Sequence, residues 1–203
     1  MCIPALLHSR NVIATLSELA PDVLARLRDR LRDRDWREVT TDELAQAAGL
    51  SRMTLHRRGI GKDVVLAQLG RLLEAEYHEA MLPALVSAAP AAERLRLALS
   101  ALCEVNERYL GLLDALGRAA AFVFHDEGEG PVLTRVTFTD GLRRILEDGI
   151  TEGTLHADDP LEMATLLFNA TGWTYRHMRT GHRWAPEHVR ERLVRLLMGG
   201  VTS

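Results

Sequence analysis

The 203-residue chain holds one lysine, two cysteines and few aromatic residues. Phe, Tyr and Trp together make up 5% of it, against an apolar fraction of 47% in which alanine and leucine dominate. That balance argues against a sandwich of strands and favours helices packed on helices. Cys2 and Cys103 are too few for a disulfide framework and lack metal-ligand spacing. The expectation is a reducing cytoplasm, with no metal and no cofactor. No apolar run approaches the ~20 residues that a membrane span needs. The start, MCIPALLHSR, lacks the charged-then-apolar order of a signal peptide. Enzyme signatures are missing too: there is no glycine-rich phosphate loop, no nucleophile elbow and no zinc-protease histidine pair. The chain therefore reads as a non-enzyme.

What is present is unevenly distributed. Residues 1–62 carry 11 Arg/Lys against 8 Asp/Glu, and residues 63–203 carry 14 against 20. A mildly basic first third on an acidic remainder fits a nucleic-acid-contacting head on a solvating body, and it also fits ordinary scatter.

Helical spacing organises the whole chain. Residues 1–20 read as an N-terminal extension. Pro21 suits a first helical turn, and Val23, Leu24, Leu27 and Leu31 then fall on one face. Trp36 is expected to plug the end of that helix. Thr40-Thr41-Asp42-Glu43 has the form of a capping box, with Thr40 as N-cap. Gly49 and Gly59 read as left-handed stops, followed by Leu50 and Ile60 that fold back on the preceding turn. A long helix starts near Lys62, and Pro83 is expected to kink or break it. One or two helices follow before the polar run HDEGEG at 125–130. Others span 131–152, the stretch from Asp159-Pro160 to about Arg179, and Pro186 to Gly199-Gly200. The reading is all-α, with roughly nine or ten helices.

One stretch, LAQAAGLSRMTLHRRG at 44–59, carries the function. A short helix, a glycine turn and a second short helix make a helix-turn-helix, whose second helix reaches base edges in the major groove. That use needs a small polar cap, then hydrogen-bond donors, then a positive end for phosphates. Ser51, Arg52, Thr54, His56, Arg57 and Arg58 supply them. Arg52 can grip a guanine bidentately, and Met53 can meet a thymine methyl. Lys62 can reach a phosphate. The competing reading is a helical hairpin inside a core. It is weakened because only Met53 and Leu55 are apolar between Ser51 and Arg58.

These residues resemble a known family. Thr40-x-x-x-Leu44-Ala45-x-x-Ala48-Gly49-Leu50-Ser51-x-x-Thr54-Leu55-His56 is similar to the DNA-binding signature of the tetracycline-repressor (TetR) family of transcriptional regulators. The likeness runs from Val23 to Val65. It implies an N-terminal three-helix DNA-binding head at 21–65 and a larger helical ligand-binding and dimerisation domain at 66–203. It also implies a homodimer through the last two helices, a palindromic double-stranded operator, and a repressor released by a small-molecule effector. By position, Arg52, Met53 and Thr54 would face bases, His56 would touch backbone or base, and Thr40, Thr41 and Lys62 would lie against phosphates. The family has phenylalanine where this chain has Gly59, and Ile60 is the expected substitute. The alternative is a helical small-molecule-binding or interaction module whose degenerate head binds DNA only nonspecifically.

The C-terminal signals are thinner. Asn169 and Trp173 lie one turn apart, and either line a ligand pocket or pack in a core or dimer interface. Tyr109, Phe122, Phe124 and Phe138 are further pocket candidates. Leu193, Leu196 and Leu197 fit an apolar dimer stripe. His125-Asp126-x-x-Glu129 and the pair His177/His182 read as solvated surface rather than metal ligands.

Overall fold

The computed structural model describes residues 18–116 and 133–202. It divides into two compact units, Met1–Leu72 with Gly111–Ala119, and Leu73–Leu110 with Ala120–Ser203. The first unit opens with α1 (Pro21–Leu31), where proline occupies a first-turn position that needs no donor. Leu24, Leu27 and Leu31 recur at helical spacing and are buried. Trp36 and Val39, in the connection that follows, are buried as well. Upstream, the backbone N–H of Leu19 donates to Oε1 of the buried Gln68 at 2.8 Å.

In α2 (Thr41–Ala48) both halves of the capping box form. Glu43 N donates to Thr40 Oγ1 at 3.2 Å, and Thr40 N donates to Glu43 Oε2 at 2.8 Å. Leu44, Ala45, Ala47 and Ala48 are buried. α3 (Arg52–Arg57) follows after Gly49. Both helices stop in the same way. Gly49 and Gly59 have φ of +68° and +67°, the left-handed region where a side chain is strained. The next N–H then closes on the carbonyl five residues back. Leu50 N donates to Ala45 O and Ile60 N to Leu55 O, both at 2.9 Å. Leu55 and Ile60 are buried. The apolar residue thus comes one position later than a family phenylalanine would, because position 59 is taken by the turn.

The backbone at Gly59 sets what a substitution there would do. A Cβ would meet nothing within 4 Å, so space is not the limit and the left-handed φ is. Gly59→Ala and Gly59→Phe are each expected to lower the unfolding free energy of the head by ~1–2 kcal/mol, the phenylalanine ring finding no place in the core to offset the strain. Urea denaturation would check this. A stabilising Gly59→Phe would contradict it.

The first unit also takes in residues around 111–116, which a boundary at 65 leaves out. Gly111 is the reason. Its N–H donates to Arg32 O at 2.6 Å, and a Cβ there would collide with the carbonyls of Leu31, Arg32 and Arg34. Leu112, Ala115 and Leu116 are buried.

The division between units falls inside α4 (Lys62–Val86). Of the expected kink or break at Pro83, the break does not occur, and this helix continues to Val86. Close to its end, Arg94 Nε donates to Ala84 O at 3.0 Å. The second unit contains α5 (Ala91–Arg108), α6 (Leu133–Glu152), α7 (Pro160–Thr180) and α8 (Pro186–Gly199). Asp159 caps α7 by accepting from Leu161 N and Glu162 N at 2.8 and 3.1 Å. α7 packs against α5, α6 and α8. Leu95, Leu99, Leu142, Ile145, Ala164, Leu167 and Val189 belong to the shared core. Among the described residues the only β pairing outside strands is the isolated bridge of Leu155 with Thr202.

Candidate nucleic-acid interface

α3 is six residues long and buries only Leu55. Ser51 starts it as N-cap. Its Oγ accepts from Thr54 N at 3.1 Å and shares a hydrogen bond with Thr54 Oγ1 at 2.8 Å. With Leu55 turned inward, helical spacing turns the rest of the segment outward. Ser51, Arg52, His56, Arg57 and Arg58 are exposed, and Thr54 is half-buried. Met53 is 73% exposed. The first turn of α3 therefore offers a long cation, a thioether and a hydroxyl to whatever approaches.

The neighbouring elements set the electrostatics. Thr40 and Thr41 are exposed at the start of α2. The Thr40 hydroxyl is engaged by the cap, donating to Glu43 Oε2 at 3.0 Å. Hydrogen bonds from the Thr40 backbone and hydroxyl hold the Glu43 carboxyl below the usual range, and Arg34, 2.9 Å away, adds to this. Lys62, at the first position of α4, is half-buried. Its Nζ donates to Arg37 O at 3.3 Å and lies 5.2 Å from the Trp36 ring centroid. A stem laid over an aromatic face with its ammonium at the rim is a common lysine arrangement. One contact was not foreseen from the sequence. Arg52 Nη1 donates to Asp42 Oδ2 at 3.3 Å. Asp42 has a simpler reading in the sequence, as an acidic residue in a first helical turn. The turn at Gly49 brings it to Arg52.

The described pocket candidates lie in different surroundings. Tyr109 is fully buried, and Phe138 is buried in an aromatic cluster, 4.9 Å from Tyr77 and 5.4 Å from Phe168 between ring centroids. The Tyr77 hydroxyl donates to Phe138 O at 2.5 Å. Asn169 and Trp173 lie outside this interior. Asn169 is exposed and donates to Thr165 O at 2.8 Å, and Trp173 is 62% exposed with Arg176 4.4 Å from its ring centroid. Phe122, Phe124, His125, Asp126 and Glu129 lie outside the described residues. The three leucines of the expected dimer stripe do not share one surface. Leu193 is buried in its own unit and Leu197 packs partly against that core, while Leu196 is exposed. The His177 and His182 rings pack edge to face, 5.2 Å apart. Among the described residues no three His, Cys, Asp or Glu side chains gather as metal ligands, and no helix is long and apolar enough to cross a membrane. Burial pushes the Cys103 thiol up to about 12, too high for a redox-sensing thiolate.

Residues 88–201 match the family described as tetracyclin repressor-like, C-terminal domain. That match covers more than half of the chain and comes from outside the helix-turn-helix. The chain belongs to the tetracycline-repressor family. Regulators of this family are generally non-enzymatic transcription factors. Solved structures share the fold of this tetracycline-repressor-family chain. A TetR/AcrR-family regulator from Thermobifida fusca is 20% identical, with 94% of this chain and 98% of that one covered and a TM-score of 0.61. The ketosteroid regulator KstR2 of Mycobacterium tuberculosis is 20% identical over 90% and 94% of the two chains, with a TM-score of 0.63. AibR, solved with isovaleryl coenzyme A and operator DNA, is 17% identical over 89% and 98%, with a TM-score of 0.65. No curated protein matches the chain by sequence.

Proposed function

We propose that this chain is a cytoplasmic, ligand-responsive repressor whose residues 21–65 bind a palindromic operator and whose residues 66–203 bind a small molecule and dimerise. One observation carries the reading. Of its own residues α3 buries only Leu55, and it leaves Arg52 and Met53 exposed behind a Ser51 cap. In the complex, Arg52, Met53 and Thr54 face base edges. Ser51, His56, Arg57 and Arg58 touch backbone or flanking bases, and Thr40, Thr41 and Lys62 lie against phosphates.

A homodimer through α7 and α8 would set two copies of α3 in successive major grooves, ~34–36 Å apart. The exposure of Leu166, Trp173 and Leu196 on those two helices supports that surface. A ligand that favours the DNA-incompetent conformation would empty the operator by shifting the population. AibR, bound to both a small molecule and operator DNA, supports a regulator of this kind. α4 shares residues with both units and is the candidate coupling element. The alternative of a degenerate head drew on Gly59, and no observation favours it now that Ile60 takes the apolar place.

Two substitutions test the assignment on DNA fragments from upstream of the gene. Arg52→Ala should relax preference at one base pair per half-site, at ~1–3 kcal/mol of discrimination. Lys62→Ala should weaken all sequences alike and reduce the salt slope by about one. Equal effects of the two on matched and scrambled duplexes would remove Arg52 from base recognition.

A further inference from the structure

The first turn of α2 carries two adjacent carboxylates with different tasks. Glu43 is committed to the fold, accepting from the Thr40 backbone and hydroxyl and pairing with Arg34. Asp42 stands outside that box. Its Oδ2 is 3.3 Å from Arg52 Nη1, ten residues along the chain and across the Gly49 turn. The Arg52 and Asp42 side chains are 72% and 67% exposed, and ion pairs so exposed contribute little to stability. A carboxylate on a face meant for phosphates also repels the polyanion and lowers affinity. The helix dipole gives Asp42 a modest stabilising place in the first turn of α2, but neither that nor affinity accounts for its contact with Arg52.

Orientation explains it. Arginine is long and loses rotamer freedom when it binds, and recognition of guanine needs its planar fork held in one pose. A carboxylate on one Nη atom restrains the guanidinium before DNA arrives and leaves the other donors for the base edge. It also offers Arg52 a resting partner. A base that cannot take the bidentate pair must then compete with Asp42, so wrong sequences lose more than right ones. We propose that Asp42 is a positioning residue for base recognition, trading affinity for discrimination by holding the Arg52 guanidinium. This rests on the reading that α3 enters the major groove.

The test uses the full-length chain and a randomised synthetic duplex library, first selected by the wild-type protein and then bound by each variant. Asp42→Asn is expected to tighten binding to scrambled duplexes several-fold. It should cut the preference at the base pair read by Arg52 by about two- to fivefold, the range an exposed ion pair can supply, and leave other positions unchanged. Asp42→Glu should restore part of that preference. In an Arg52→Ala background, Asp42→Asn should change affinity but no preference at that pair. Thermal melting of each variant separates these effects from loss of the α2 turn. Uniform tightening on every sequence would reduce Asp42 to a repulsive charge and overturn the proposal. So would a preference loss that persists without Arg52. If the wild-type protein selects no sequence at all, the DNA reading itself falls. If Arg52→Ala relaxes selection while Asp42→Asn does not, only the positioning role falls.

Discussion

Leu55→Ala is expected to destabilise the first unit by ~2–5 kcal/mol, the range for removing a large buried side chain without full collapse of the cavity. The effect should be large because α3 has no other buried residue of its own. Leu55 also lends its carbonyl to the Ile60 N–H that closes the helix, so loosening its packing loosens the stop. In contrast, Met53→Ala, on the exposed side of the same helix, should leave stability within about 0.5 kcal/mol. Hydrogen exchange across 41–60, with urea denaturation, would distinguish them. Equal protection in the two variants would mean that α3 is held by something other than Leu55.

The second large effect lies in the other unit. Arg179 Nε and Nη2 donate to Glu107 Oε2 and Oε1 at 2.8 and 2.9 Å, and the Tyr175 hydroxyl donates to Glu107 Oε2 at 3.0 Å. Arg179 Nη1 also donates to Trp184 O at 2.5 Å, which ties the turn between α7 and α8 to the same guanidinium. The paired Arg179 and Glu107 side chains are only 18% and 17% exposed. Burial, with Glu107 close by, raises the pKa of the Tyr175 phenol, so tyrosine stays a donor at neutral pH. Arg179→Ala would leave a largely buried carboxylate with one donor fewer on each oxygen. The expected loss is ~3–5 kcal/mol, because breaking one half of a desolvated pair exposes the full desolvation cost of the other. Adding Glu107→Gln to Arg179→Ala should recover part of that loss, since the stranded charge is gone. An Arg179→Ala cost below about 1 kcal/mol in urea unfolding would show that water replaces the arginine freely.

Features that depend on neighbours three to five residues apart are legible in the sequence. The α1 stripe, the Thr40–Glu43 box, the Asp159 cap and the glycine stops at 49 and 59 are all local in this sense. The recognition segment is legible for the same reason, since its polarity and its cap lie within eight residues.

What escapes the sequence needs residues far apart along the chain to meet. Gly111 reads as an ordinary small residue until Arg32 comes within 2.6 Å of it. Asp42 reads as a charge favourable to its own helix until the turn presents Arg52. Pro83 carries a strong local signal to kink or break α4, and the helix nevertheless continues to Val86. Trp173 has the composition of a core or pocket residue, and which side of α7 faces outward depends on how that helix lies among α5, α6 and α8.

If the turn beginning at Ser51 meets nucleobases in duplex DNA, sequence must matter to binding and Arg52 must carry a large share of the difference. Competitive binding of the full-length chain to an upstream fragment and to its scrambled counterpart, followed from low to physiological salt, measures this most directly. Both affinities are then expected to fall steeply with salt, their ratio to stay at least about a thousandfold, and Arg52→Ala to lower that ratio sharply. A ratio near one at every salt concentration, unchanged by Arg52→Ala, would contradict it.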